Sequence, residues 1–376
     1  MEVPVLELAQ ALLKCPSVTP ADAGALTYLA DVLARLGFEI WHLPFGPEGA
    51  QTPNLFARRG QAGPHLCFAG HTDVVPPGEG WRHPPFAATI EGDVLYGRGA
   101  SDMKGAIAAF TSAVSTILHT RELRGSVSFL ITGDEEGAAQ HGTRDVLAWM
   151  KAEGHIPDFC LVGEPTNPEK IGETIKIGRR GSLNATVTIR GVQGHVAYPH
   201  RADNPIHRLV ALTHALRSRT LDAGNAWFQP SSLQITNIEV GNDATNIIPG
   251  QAAVRLNIRF NNLHRGTELA QWIEETTRDY APDASIDVAI SGEAFLTEPN
   301  HYVESLARSV EAVTGRRPRM DTSGGTSDAR FIASYCPTAE FGLVGATMHK
   351  VDEAVHLGDL DALRDIYRTF IQDFGL

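Results

Sequence analysis

Cysteine is scarce in this chain: Cys15, Cys67, Cys160 and Cys336 stand singly, with no Cys-x-x-Cys pair. That leaves no basis for a thiolate zinc site or a disulfide framework, and the four read as reduced, packed thiols. Long apolar runs are missing too. None approaches the about 20 residues that span a bilayer, and Met1-Glu-Val-Pro-Val-Leu-Glu-Leu8 lacks the basic start of a signal peptide. The expected location is therefore the cytoplasm, without membrane contact. Positive charge is in deficit, with 32 Lys and Arg against 44 Asp and Glu and a net charge of -12. That balance opposes a phosphate backbone, and no basic stripe overrides it, so nucleic acid is not an expected partner. No GxxxxGK[ST] loop, long repeat, low-complexity tract or heptad run occurs. What remains is an ordinary folded composition, 43% hydrophobic and 20% charged over 376 residues, enough for one large domain or two.

The first half alternates helix-period and strand-like segments, starting with an amphipathic stretch from about Ala21 to Leu36. This is α/β patterning. Three apolar runs end directly on acids or imidazole: His65-Leu-Cys-Phe-Ala-Gly-His71, Ser126-Val-Ser-Phe-Leu-Ile-Thr-Gly-Asp-Glu-Glu136 and Phe159-Cys-Leu-Val-Gly-Glu164. Open α/β sheets gather ligands at the carboxyl ends of their strands, so His71, Glu135, Glu136 and Glu164 are expected in one crevice. From about Gly178 the pattern becomes β-α-β-β-α-β, with helices over Asn204 to Ser218 and Thr267 to Tyr280, which suggests a ferredoxin-like insert. A helix from Tyr302 to Val313 and a short strand around Ala339 to Leu343 then return to the first domain. The expected organisation is a discontinuous catalytic domain, residues 1–178 and 294–376, interrupted by an α+β insert at 179–293.

Paired catalytic zinc ions bind His nitrogen and carboxylate oxygen at roughly 2.0–2.2 Å and lie roughly 3.5–4 Å apart, which requires a shared ligand. His71-Thr72-Asp73 offers an imidazole and a carboxylate able to take its other ring proton. Asp102 lies in the glycine-rich Gly97-Arg-Gly-Ala-Ser-Asp102-Met-Lys-Gly105, before a helix expected from about Lys104 to His119. It can bridge two ions, or Ser101 or Asp102 can simply cap that helix. Glu135 and Glu136 divide naturally, one binding metal and the other taking a proton from water and passing it to a leaving nitrogen. Gly163-Glu164-Pro165-Thr166 and Thr347-Met-His349-Lys350 supply the remaining candidates. Against two zinc ions, ionised Asp102, Glu136 and Glu164 would leave a small net positive charge, which suits amide hydrolysis through an anionic transition state.

Together these segments, with Gly191-Val-Gln-Gly-His-Val-Ala-Tyr-Pro199 and Thr322-Ser-Gly-Gly-Thr-Ser-Asp-Ala-Arg330, resemble the M20 family of metallopeptidases and deacylases over nearly the whole chain. The resemblance implies a zinc-peptidase-like catalytic domain with an inserted dimerisation domain. It implies two zinc ions per subunit, with cobalt able to substitute: one held by His71 and Glu164, the other by Glu136 and His349, Asp102 bridging and Asp73 orienting His71. Glu135 falls at the general base. His195 matches an oxyanion donor that reaches the partner subunit's active site, which implies a homodimer. Arg179, Ser182, Asn246, Arg259, Gly325 and Thr326 match positions that grip substrate carboxylates, in keeping with the bidentate fork of Arg and the close approach that Gly permits. Taken alone, Arg179, Arg180 and Arg259 would read as solvated domain-junction charges. Gly345 stands where many members acting on succinyl amides carry asparagine.

The expected activity is hydrolysis of a small anionic N-acyl amino acid, with a succinyl group favoured by Arg259 and the Gly-Thr-Ser turn. An N-acetylornithine deacetylase or a glutamate-releasing carboxypeptidase is the nearest alternative. A non-catalytic metal-binding scaffold is the alternative from another class, and Glu135 argues against it, because a structural site has no use for a base beside its ligands.

Overall fold

Leu66, Phe68, Val127, Phe129, Ile131, Phe159 and Leu161 are all fully buried, and they come from three runs with little polar relief. Runs like these suit the centre of a parallel sheet covered on both faces. In the computed structural model, which describes residues 2–376, they form the middle of an eight-stranded mixed sheet. Its order is Glu39–His42, Asn54–Arg59, Ser126–Thr132, His65–His71, Phe159–Val162, Thr338–Glu340, Thr174–Lys176 and Arg319–Asp321. His65–His71 runs parallel to both neighbours, with His71 opposite Thr132 and Ala69 opposite Val162. That register brings the three carboxyl ends side by side. The helix Gly105–Thr120, buried along most of its length, and Leu357–Asp373 carry Phe110 and Tyr367, whose rings pack on each other and on Phe68.

The helix expected from Ala21 starts at Ala25 instead. Gly24 has φ +85°, outside helical space, and the Asp22 carboxylate accepts the Leu26 N–H and so marks the true start. The helix after Asp102 spans Gly105–Thr120 with no side-chain cap, so neither Ser101 nor Asp102 is used as one.

The chain divides into two compact units, one of residues through Ile177 with Thr297–Asp321 and Ser327–Leu376, the other of Gly178–Leu296 with Thr322–Thr326. The second unit is an antiparallel sheet in the order Ser232–Glu239, Gln251–Phe260, Gly181–Arg190, Ser285–Gly292. With helices Pro205–Ser218 and Gly266–Tyr280, this completes the expected β-α-β-β-α-β chain order. Leu183, Ala185, Val187 and Ile189 alternate inward along one strand and pack with Leu209, Leu212, Leu269 and Ile273 of the helices. No helix among the described residues is long and apolar enough to cross a membrane.

His65, to which the sequence assigns no role, is buried where the central strand begins, with Nε2 2.8 Å from Ser128 Oγ. Burial, then Arg58 and His155, push its pKa down to about 3. An unfolded chain protonates His near 6.5, so as pH falls below that value the unfolded state gains a proton that the fold refuses. Between pH 8 and pH 5 this costs about 2 kcal/mol of stability. Denaturant unfolding of metal-free protein at the two pH values should show a correspondingly shallower loss for His65→Gln than for wild type. Equal losses would remove His65 as the cause.

Candidate metal centre

Each candidate ligand of the first unit is delivered by a local feature of the fold. His71 ends its strand, Glu135 and Glu136 follow Ser126–Thr132, and Glu164 follows Phe159–Val162. Asp102 lies in the irregular turn Ala100–Lys104, where the Asp102–Met103 peptide is cis. His349 comes from the loop before the strand Ala354–His356 and has φ +61°, in the left-handed region. These six, far apart in sequence, meet at the carboxyl end of the sheet.

Asp102 is central to the geometry. Its Oδ1 lies 3.3 Å from His71 Nε2 and its Oδ2 3.2 Å from His349 Nε2. Beyond it on one side, Glu164 Oε1 is 3.7 Å from His71 Nε2; on the other, Glu136 Oε1 is 2.8 Å from His349 Nε2. One carboxylate thus faces two imidazoles, each of which faces a further carboxylate. Candidate ligand atoms of His71, Asp102 and Glu136 all lie within 4.8 Å of one another, as do those of His71, Glu135 and Glu164. Glu135 is therefore close enough to bind metal as well as to act beside it.

The electrostatics call for cations. Burial, followed by the nearby charges of Asp102 and Glu135, holds the Glu164 carboxyl well above the usual range. Glu135 is pushed up to about 8, chiefly by burial, with Asp328, Glu136 and Asp102 adding to it and His71 opposing. Burial also opposes the charge on Asp102, yet the facing imidazoles of His349 and His71 prevail and hold its pKa down. His349, bonded to Asp102 and Glu136, is raised to about 10. Five carboxylates crowd two imidazoles in a largely dry site, and such charge is tolerated only when paired or bound to metal. His71 Nε2 and Asp102 Oδ1 are buried without a hydrogen-bond partner. Orphaned atoms of this kind, on imidazole and carboxylate, fit divalent ions of the zinc type.

Asp73 acts differently from expectation. The His71 ring is held by the Asp73 backbone carbonyl, 2.9 Å from Nδ1, while the Asp73 carboxylate stands off at 3.6 Å. That carboxylate instead accepts the N–H groups of Glu135 and Glu136, at 3.2 and 3.0 Å. Asp73 therefore fixes the His71 tautomer through its main chain and the Glu135-Glu136 turn through its side chain.

His195 and the expected substrate-gripping residues all lie in the second unit. His195 is exposed on a two-residue strand, its Nδ1 accepting the Ala197 N–H. Asn246 is exposed, and its carbonyl accepts the Val196 N–H. Ser182 and Arg259 are opposite one another in the sheet, and Asn257 bonds to both. Burial, then the charge of Arg180, lowers the Arg259 pKa. Arg179 is buried and donates to the Gly325 carbonyl, in the turn that also holds Thr326. At Gly324 of that turn φ is +108°, and a Cβ would stand 2.7 Å from Arg179 Nη1, so glycine is required there. Gly345 is also tight: a Cβ would lie 3.2 Å from Met348 Sδ and 3.3 Å from the Pro165 carbonyl.

Two acids of the first unit escape sequence reasoning. Asp328 is buried with neither carboxylate oxygen hydrogen-bonded, and its charge bears on Glu135. Its only signal is its place after the glycine-rich turn. Glu353 precedes a short strand and belongs to no recognisable pattern.

A histidine and carboxylate cluster of this kind, at the carboxyl end of a mixed α/β sheet, defines a metal-dependent hydrolase. The model of peptidase family M20/M25/M40 matches residues 67–373, and the chain belongs to that family. It is 63% identical over 369 residues to a succinyl-diaminopimelate desuccinylase of Gluconobacter oxydans, covering 98% of this chain and 97% of the relative. To one of Gluconacetobacter diazotrophicus it is 62% identical, covering 98% and 96%. Its fold is shared with an M20 family metallo-carboxypeptidase from Sulfolobus solfataricus, at a TM-score of 0.80, 18% identity and 99% coverage of both chains. The aminopeptidase PepT of Bacillus cereus shares it at 0.79 and 20%, covering 99% of this chain and 98% of that one.

Proposed function

We propose that the protein hydrolyses N-succinyl-LL-2,6-diaminopimelate to succinate and LL-2,6-diaminopimelate, a step of lysine and diaminopimelate biosynthesis, in the cytoplasm. The observation that carries this reading is end-to-end identity of 63% to a relative of that activity, on a chain whose six candidate metal-site side chains converge. Two zinc ions per subunit are the proposed cofactors, with cobalt able to replace them. His71 and Glu164 would hold one, Glu136 and His349 the other, and Asp102 both. Ions there supply Lewis acidity to the amide carbonyl and lower the pKa of water toward neutrality.

The chain's own residues do the rest. Glu135, whose main-chain N–H the Asp73 carboxylate holds, takes a proton from the attacking water and returns it to the leaving amine. Asp73 keeps the Glu135-Glu136 turn in place during that transfer. Arg179, Ser182, Asn246, Arg259, Gly325 and Thr326 receive the substrate's carboxylates, and His195 stabilises the oxyanion in the partner subunit of a homodimer. The dimer reading is supported by exposed Val196, Tyr198, Val210 and Ile238 on the second unit. Ile238 belongs to the edge strand of its sheet, which leaves backbone groups open to a second copy.

The test is amide hydrolysis by zinc-loaded and chelator-stripped protein, offered N-succinyl-diaminopimelate and N-acetylornithine at equal concentration. Zinc-dependent cleavage of the succinyl compound, at least a hundredfold faster than of the acetyl one, is expected. Preference for the acetyl compound would overturn the substrate and leave the metal chemistry standing.

A further inference from the structure

The turn carrying Asp102 is organised by one distant carboxylate. Glu353 Oε1 accepts the N–H groups of Ser101 and Asp102, at 2.9 and 3.1 Å, and the Ser101 hydroxyl at 3.2 Å. Its Oε2 accepts the Gly99 N–H at 3.0 Å and Arg98 Nη1 at 2.8 Å. Both members of the Arg98–Glu353 pair are fully buried, with side chains 2% and 1% exposed. The pair also reaches two neighbouring segments. Arg98 Nη2 donates to the carbonyl of Pro77 at 3.2 Å, in the loop leading away from His71 and Asp73. The Glu353 carbonyl accepts the Gly97 N–H. Ala354, the next residue, exchanges two hydrogen bonds with the side chain of Thr347, two residues before His349. The segments bearing His71, Asp102 and His349 thus meet at Arg98 and Glu353.

We propose that Glu353, paired with Arg98, is a positioning residue that holds the Asp102 carboxylate between the two histidines so that both ions can share it. The inference rests on the two-metal reading above. A buried ion pair alone is weak evidence of a stabilising role, because apolar side chains of similar volume often serve as well. Apolar side chains cannot accept three main-chain N–H groups, however, and buried N–H groups left without an acceptor force the turn to rearrange. The geometry of Asp102 depends on that acceptor, and outer partners of this kind typically govern metal affinity by about 10–100-fold. A glutamine at 353 would aim its NH₂ at N–H donors on one side or the other.

The test uses full-length wild type, Glu353→Gln and the double variant Arg98→Met/Glu353→Met. Each is stripped of metal, checked for fold by circular dichroism and titrated with zinc against a chromophoric chelator. Wild type should take up two ions. Both variants should bind the second at least tenfold more weakly, even where the double variant recovers its melting temperature by removing both buried charges. Wild-type affinity for both ions in the two variants, with only the melting temperature changed, would overturn the proposal. Should Glu353→Gln fail to fold, Glu353→Asp keeps the charge opposite Arg98 but draws back from the N–H groups, and the same weakening is expected of it. A wild type that binds a single zinc would instead fail the two-metal reading.

Discussion

Glu135→Gln is expected to retain its full complement of metal while losing about 10²–10⁴-fold in kcat, the range that a positioned general base contributes. The substitution preserves shape, and the Glu135 N–H keeps its bond to the Asp73 carboxylate, so the turn that also presents Glu136 should not move. KM should change little, since the variant removes a proton carrier and no substrate contact. The same change should raise the melting temperature of the metal-free protein, because an ionisable acid that burial disfavours is replaced by a neutral amide. Lower activity with higher stability is the mark of a functional group kept at a cost to the fold. Metal analysis, steady-state kinetics and thermal unfolding decide the matter. Near wild-type turnover would remove Glu135 from the base position, and loss of metal would make it a ligand, a role its proximity to His71 and Glu164 permits.

How far the site was legible follows from how each residue reaches it. His71, Glu135, Glu136 and Glu164 could be read from sequence because strongly apolar runs stop directly in front of them, and a parallel register carries strand ends to one place. Asp102 was ambiguous: a glycine-rich turn before a helix is as good a cap as a metal bridge. Its position between His71 and His349, contributed by segments distant in the chain, and a helix start that uses no side-chain cap separate the two readings. The role of Asp73 was half legible, since the spacing of His71 and Asp73 signals contact but not whether carbonyl or carboxylate makes it. Glu353 was invisible, because its five donors, three of them main-chain N–H groups, lie roughly 250 residues away and nothing local betrays such an acid. The β-α-β-β-α-β order of the second unit was legible from segment pattern, with alternation from Leu183 to Ile189 marking its first strand and two helical stretches between the strands. What His195, Asn246 and Arg259 do there rests on family likeness, since an exposed histidine and a half-buried arginine carry no signature of their own.

Asp102→Ala should abolish measurable hydrolysis and, in the same protein, most of the stabilisation that zinc confers. At free zinc about 100 times Kd, each site that only the folded state offers contributes about 2.7 kcal/mol. Two such sites would raise the melting temperature of a chain this size by roughly 5–10 °C. Wild type should show that rise. Because the two oxygens of Asp102 face different histidines, its loss should weaken both sites together and leave almost none of that rise. His349→Ala provides the contrast. His349 is half exposed and faces Glu136 and one oxygen of Asp102, so its removal should cost one ion and about half the rise, with His71, Glu164 and Asp102 still able to hold the other. In the absence of zinc the order reverses: Asp102→Ala removes the acid that faces both imidazoles, whereas His349→Ala leaves Glu136 close to Asp102 with no imidazole of its own. Equal zinc responses from the two variants would show that Asp102 serves one site rather than both.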